Sequence, residues 1–244
     1  MNRRRLLLAA ALFLLTFLAS PPAAFSGTKL DLSPYLGQLR MPGDFKVYTW
    51  DTGAQRTVTV LETMPWSKGW AVLVGTELTG TPDGDSAWLS ESYLIPGKQL
   101  LTGGQDFGSY QFLVAKPAKG LKLFTTLGKV QRIKAKATLV ANGQAVGAVL
   151  RVGAWVAEDF EKVETPSGTY PGALRARSSS GIRIVDAFGG DFVYFYDETL
   201  WYAETFGLVK VETHLDYYEH GIFVEERDWM ESLSSGSLGG VPFP

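Results

Sequence analysis

Val130-Gln131-Arg132-Ile133-Lys134-Ala135-Lys136-Ala137-Thr138-Leu139-Val140, then Ala141-Asn142-Gly143-Gln144, then Ala145-Val146-Gly147-Ala148-Val149-Leu150-Arg151-Val152-Gly153-Ala154-Trp155-Val156, is the stretch that decides the fold. Read in steps of two, Arg132, Lys134 and Lys136 share one face while Ile133, Ala135, Ala137 and Leu139 share the other, the pattern of a half-buried antiparallel strand. Asn142-Gly143 provides the two positive-φ positions of a type I′ turn. The stretch therefore predicts a long β-hairpin.

The rest of the chain follows the same period. Phe45 to Trp50, Thr57 to Met64, Trp70 to Leu78 and Tyr110 to Ala115 are rich in β-branched and aromatic residues and bounded by Gly, Pro, Asn or Asp. Thr81-Pro82-Asp83-Gly84 and Pro166-Ser167-Gly168 mark turns. From Leu208 to Tyr218, Val209, Val211, Thr213, Leu215 and Tyr217 alternate with Lys210, Glu212, His214 and Asp216. Beyond the N-terminal leader, no segment longer than about 12 residues carries helical periodicity uninterrupted by Gly or Pro. The expected fold is all-β, a curled antiparallel sheet closing into a half-barrel or packing as a sandwich.

Arg3 to Arg5, the apolar run Leu6 to Leu18 and the small residues before Gly27 form a secretory leader, with cleavage expected after Ser26. The apolar run is shorter than the ~20 residues of a spanning helix, so the mature chain is expected to lack a transmembrane helix and to be periplasmic or extracellular. Residues 1–26 are read as signal peptide, 27–231 as a single β-rich domain, and the Ser/Gly/Pro-rich 232–244 as a disordered tail. With no cysteine in the chain, disulfides, thiol catalysis and a lipid anchor on cysteine are excluded.

The leader holds three of the 23 basic residues and none of the 25 acidic ones, leaving a mature formal charge of −5, which argues against nucleic acid as a partner. Charge is nevertheless segregated. Phe107 to Ala157 has no acidic residue and eight basic ones, among them Arg132, Lys134 and Lys136, whereas Asp186 to Glu231 has twelve acidic residues against Lys210 and Arg227. Cross-strand pairing of the two segments is the expectation. The alternative is an open basic face for an anionic surface.

Chemistry is less legible. His214 and His220 are the only histidines. Glu212, His214 and Asp216 lie along one face of one strand, where three ligands spaced about 7 Å apart converge poorly on a metal ion. There is no Gly-x-Ser-x-Gly elbow, and neither a catalytic residue nor a cofactor is assigned. The aromatics Tyr194-Phe195-Tyr196, Trp201-Tyr202 and Tyr217-Tyr218 crowd the last third, and consecutive residues on a strand point to opposite faces. Tyr194, Tyr196, Tyr202 and Tyr218, with Arg132, Lys134 and Lys136, are therefore the candidate ligand-binding residues.

Val163-Glu164-Thr165-Pro166-Ser167-Gly168-Thr169-Tyr170 with Ala173-Leu174-Arg175, and Trp201-Tyr202-Ala203-Glu204-Thr205-Phe206-Gly207-Leu208-Val209-Lys210, resemble two motifs of the exported bacterial domains grouped as TapB-like. Pro42-Gly43-Asp44-Phe45 before Tyr48-Thr49-Trp50 corresponds to their opening strand. Where those domains have Pro-Gly, this chain has Thr205-Phe206. The resemblance implies a curled antiparallel sheet similar to lipoprotein-carrier half-barrels, with no family-wide catalytic residue. The expected function is non-enzymatic: an exported binding or envelope-associated module with an apolar groove for a lipid or another apolar small molecule. A carbohydrate-binding module and a secreted hydrolase are the alternatives.

Overall fold

A computed structural model of the chain describes residues 27, 29–36, 41–96, 98–114 and 118–244; the leader and its cleavage site lie outside them. The described strands run, in chain order, β1 Lys29–Asp31, β2 Phe45–Trp50, β3 Gln55–Trp66, β4 Gly69–Thr79, β5 Ser86–Ile95, β6 Gln99–Asp106, β7 Tyr110–Leu113, β8 Ala118–Lys122, β9 Phe124–Thr126, β10 Gln131–Ala141, β11 Gln144–Thr165, β12 Gly168–Asp186, β13 Asp191–Ala203, β14 Gly207–Glu219, β15 Ile222–Leu238 and β16 Val241–Phe243. No helix among the described residues is long and apolar enough to cross a membrane.

The all-β expectation holds, and the curling is complete. Twelve strands in the order β14-β13-β12-β11-β10-β7-β6-β5-β4-β3-β2-β15 form an antiparallel sheet, and pairing of β14 with β15 closes it into a barrel. Closure removes the free edges that an open sheet of this size would expose. The long hairpin forms as its sequence demands, with Ala141 opposite Gln144 and the turn at Asn142 (φ 50°) and Gly143 (φ 73°).

Residues paired directly across strands share a face, so one row fixes the rest. Gln131, Trp155, Ser178, Glu198, Thr213 and Trp229 pair in succession across β10 to β15 and point inward; the next row, Arg132, Ala154, Ser179, Asp197, His214 and Asp228, points outward. The inner face is not filled by barrel side chains alone. A turn over Leu32 to Leu36 reaches inside, where Leu32 and Tyr35 pack with Trp155, Leu174, Leu200 and Val211. The Leu32 N–H donates to the Leu123 carbonyl, and both leucines are fully buried. Buried Gln131 clasps the backbone of Lys122 from both sides, accepting from its N–H at 2.7 Å and donating to its carbonyl at 3.2 Å.

A second core gathers around the end of the β11–β12 hairpin. The β11–β12 hairpin extends beyond the barrel and folds over β14 and β15, where the Ser167 N–H donates to the Leu233 carbonyl and Val163 and Tyr170 pack with Trp201, Val209 and Leu233. Trp201 is thus only 7% exposed although it sits on the outer surface. Its indole N–H donates to Glu161 at 2.5 Å, and the Lys210 ammonium lies 4.7 Å above its ring.

Two expectations are corrected. Residues 232–244 are not a disordered tail: Ser232 to Leu238 are the second half of β15, pairing with β2, and β16 returns along them. Gly236 within it occupies a crowded position. Leu233 is fully buried, and a Cβ at Gly236 would lie 2.5 Å from both the Phe243 ring and the Phe45 carbonyl. The basic residues do not pair with the acidic strands either. Arg132, Lys134 and Lys136 face outward as expected, but opposite Ala154, Val152 and Leu150, and the acidic row begins two strands further on.

Candidate functional site

Inside the barrel, the alternation of Phe45-Lys46-Val47-Tyr48-Thr49-Trp50 sends Lys46, Tyr48 and Trp50 inward together. Tyr48 and Arg56 pair across β2 and β3, and the guanidinium lies 4.6 Å above the Tyr48 ring. Arg56 also reaches Glu231, with its Nε 2.6 Å and its terminal nitrogen 2.5 Å from one carboxylate oxygen, while the Trp229 indole donates to the other at 3.1 Å. Trp229 stacks on Trp50 with ring centroids 5.3 Å apart. Glu231 is 5% exposed, so this pairing and the indole bond are what make its burial tolerable.

Between this cluster and the inserted turn lies a cavity of about 440 Å³. Val58, Val72, Val74 and Leu94 give it an apolar wall, Thr76, Ser90 and Ser92 line it with hydroxyls, and Tyr48, Trp88 and Tyr202 contribute rings. Its charged lining residues are Lys46 and Arg56, with no carboxylate among them. Lys46 is 3% exposed and donates to the Phe206 carbonyl. Burial, reinforced by the Arg56 charge and opposed by Asp44, brings its ammonium down to about 8. Asp44 is itself occupied, accepting from the Met41 and Gly239 N–H groups at 2.9 and 2.6 Å. Burial also pushes the Tyr48 and Tyr202 phenols well above the usual range, so both remain neutral hydrogen-bonding groups.

The structure separates the candidate residues. Tyr194, Tyr196 and Tyr202 face inward, but only Tyr202 lines the cavity. Tyr194 stacks on Tyr217 at 4.8 Å, and burial raises its phenol to about 12. Tyr196 lies beside Glu198 and Arg151, and burial holds the Glu198 carboxyl above its ordinary value even though Ser178 donates to it. Tyr218 faces outward against Phe195 and Phe223. Arg132, Lys134 and Lys136 share the outer surface with half-exposed Leu150 and Val152 and take no part in the interior site. Lys46, Arg56 and Trp88 are the residues sequence reading missed. Their signal was faint: a lysine in step with Tyr48 and Trp50 reads as solvated unless both faces of the strand are known to be covered.

The outer surface holds a second concavity, about 640 Å³, lined by Asp51, Arg177, Asp197, Glu212, His214 and Asp228. His214 Nδ1 lies 2.8 Å from Asp228, and Nε2 lies 3.5 Å from Asp216. Ligand atoms of His214, Glu226 and Asp228 all fall within 4.8 Å of one another. The convergence comes from the neighbouring strand and not from the Glu212-His214-Asp216 line; Glu212 instead pairs with Lys210 at 2.8 Å. These groups are largely open to water, which screens them, whereas those around the inner cavity are desolvated. His220 occupies a positive-φ position (φ 49°) in the β14–β15 turn.

No protein-family model and no curated protein matches the chain, so the TapB-like resemblance stays confined to its motifs. Among solved structures, a candidate exported protein of YmcC-like fold from Bacteroides fragilis superposes with a TM-score of 0.49 at 11% identity, over 83% of this chain and 99% of that one. A candidate lipoprotein from Parabacteroides distasonis gives 0.44 at 13% identity, over 84% and 98%.

Proposed function

We propose that the chain is an exported, non-enzymatic binding domain that holds a small amphiphilic molecule inside its barrel. Export rests on the leader sequence. The observation that carries binding is the interior cavity: a closed barrel whose lining combines apolar side chains with hydroxyls and aromatic rings, in a volume within the usual range for small-molecule sites. The lining modifies the expected apolar groove, since hydroxyls are interspersed among its valines. Native mass spectrometry of protein purified from its own host tests the reading, with a retained small molecule expected. Filling the space with Val74→Trp should abolish retention without unfolding the barrel. Wild-type protein that carries nothing and binds no amphiphile, or that binds only soluble glycans, would overturn it.

A further inference from the structure

The charges of the inner cavity are all of one sign. Lys46 and Arg56 line it, and among the described residues no carboxylate does. The two cations are not equivalent. Arg56 is neutralised by Glu231, whereas the nearest acid to Lys46, Asp44, spends its oxygens on two backbone N–H groups, and Lys46 makes no ion pair among the described residues. An ammonium carries three donors, and the Phe206 carbonyl takes one. Holding an underused cation in a nearly water-free wall costs free energy unless an anion arrives to meet it.

Resting on the cavity reading above, we propose that the molecule held there is an anionic amphiphile, an apolar chain ending in a carboxylate or phosphate, whose head is received by Lys46 with Arg56 beside it. The apolar tail lies along Val58, Val72, Val74 and Leu94, with the hydroxyls of Thr76, Ser90 and Ser92 interspersed among them. The titratable and charged groups around Lys46 are Asp44, Tyr48, Tyr202 and Arg56 and, through Arg56, Glu231 and Glu198. Tyr48 is neutral, donating its hydroxyl to the Leu208 carbonyl at 3.0 Å. Lys46 is therefore the group whose protonation sets the cavity's charge between about pH 7 and 10.

The test is calorimetric titration of the wild type and Lys46→Met with decanoate, decyl phosphate and 1-decanol. The wild type should bind at least one of the two anions roughly 10- to 100-fold more tightly than the alcohol, the range for a hydrogen bond to a charged group. In Lys46→Met that preference should vanish while the alcohol's affinity stays. Should the variant fail to fold, the wild type alone still decides: anion affinity should fall about tenfold between pH 7 and pH 9.5 as Lys46 loses its proton, and alcohol affinity should not move. The stronger of the two anions identifies the head. Alcohol bound as tightly as either anion, or anion binding indifferent to both pH and Lys46, would overturn the proposal and leave the cavity reading standing. No binding of any of the three would overturn both.

Discussion

Lys46 and His214 occupy opposite surfaces of one sheet and are displaced in opposite directions. Burial drives the Lys46 ammonium down to about 8, while on the outside a hydrogen bond donated to Asp228, helped by Asp216 and Glu226, holds the His214 imidazole above its ordinary value. The outer surface has many charges and lets water screen them. The inner surface has few, each stripped of water, so each weighs more per group. Charge count along the sequence therefore points to the wrong side of the wall: the conspicuous acidic and basic clusters are outside, and the two cations that define the cavity are scattered singly in β2 and β3.

The contrast can be broken or sharpened by measurement. The largest effect is expected where the outer surface stops behaving like one. Trp201→Ala should cost about 3 to 5 kcal/mol, as much as truncating inward-facing Trp155, because the folded-over β11–β12 hairpin buries it. An unfolding midpoint unchanged by Trp201→Ala would mean that the hairpin does not cover it.

Lys46 should appear in the pH dependence of stability. Its folded value lies below its unfolded one, so between about pH 8 and 10 the unfolded chain keeps a proton that the folded chain has lost, and stability rises with pH. The rise should be on the order of 1 to 3 kcal/mol and absent from Lys46→Met in denaturant titrations. Tyr48 and Tyr202 act in the reverse sense and later: their raised values make stability fall as pH climbs above about 10.

Thr205 holds a left-handed backbone (φ 70°) in the β13–β14 turn, where its N–H donates to the Pro34 carbonyl and steadies the inserted segment. A β-branched residue is strained there, so Thr205→Gly should stabilise the fold by about 1 kcal/mol. A loss on the same substitution would show that the side chain contributes more than the backbone costs.

Smaller still is the expected result for Arg132, Lys134 and Lys136. With Ala154, Val152 and Leu150 as cross-strand neighbours, replacing all three with glutamine should change stability by no more than about 0.5 kcal/mol. A salt-sensitive loss of about 1 to 2 kcal/mol would restore cross-strand ion pairing. For His214, the folded value is raised, so its ion pairs stabilise below the unfolded pKa and that contribution is lost as pH rises through the folded value. His214→Asn should remove a few tenths of a kcal/mol at pH 6 and nothing at pH 9.

Strand identity and facing were legible because period-two alternation is a local property. Val130 to Val156 announced its hairpin, its turn and its outward lysines, and Tyr194-Phe195-Tyr196 divided between the faces as its spacing requires. What was not legible is what only closure creates. Ser232 to Leu238 looked unstructured because small polar residues gain order there from the backbone pairing of β2 and the ring of Phe243, both distant or invisible in a local window. Lys46 looked like an ordinary solvated lysine because its burial depends on closure of the barrel and its partner is the Phe206 carbonyl of the distant β13–β14 turn. The His214 cluster was illegible for a related reason, since its converging carboxylates sit on the next strand.

The seam between β2 and β15 joins residues near position 46 to residues near position 236. No partial chain can complete the ring: until the last strand arrives, β2 and β14 each present an unpaired edge. Contacts so distant along the chain make for slow folding. During that interval the barrel is an open sheet with two sticky borders, the condition in which edge strands recruit other copies. Removing the residues after Glu231 would leave β14 paired with the rest of β15 but strip β2 of nearly all its partners on that side, so a short C-terminal truncation should aggregate far beyond what the handful of lost contacts would suggest.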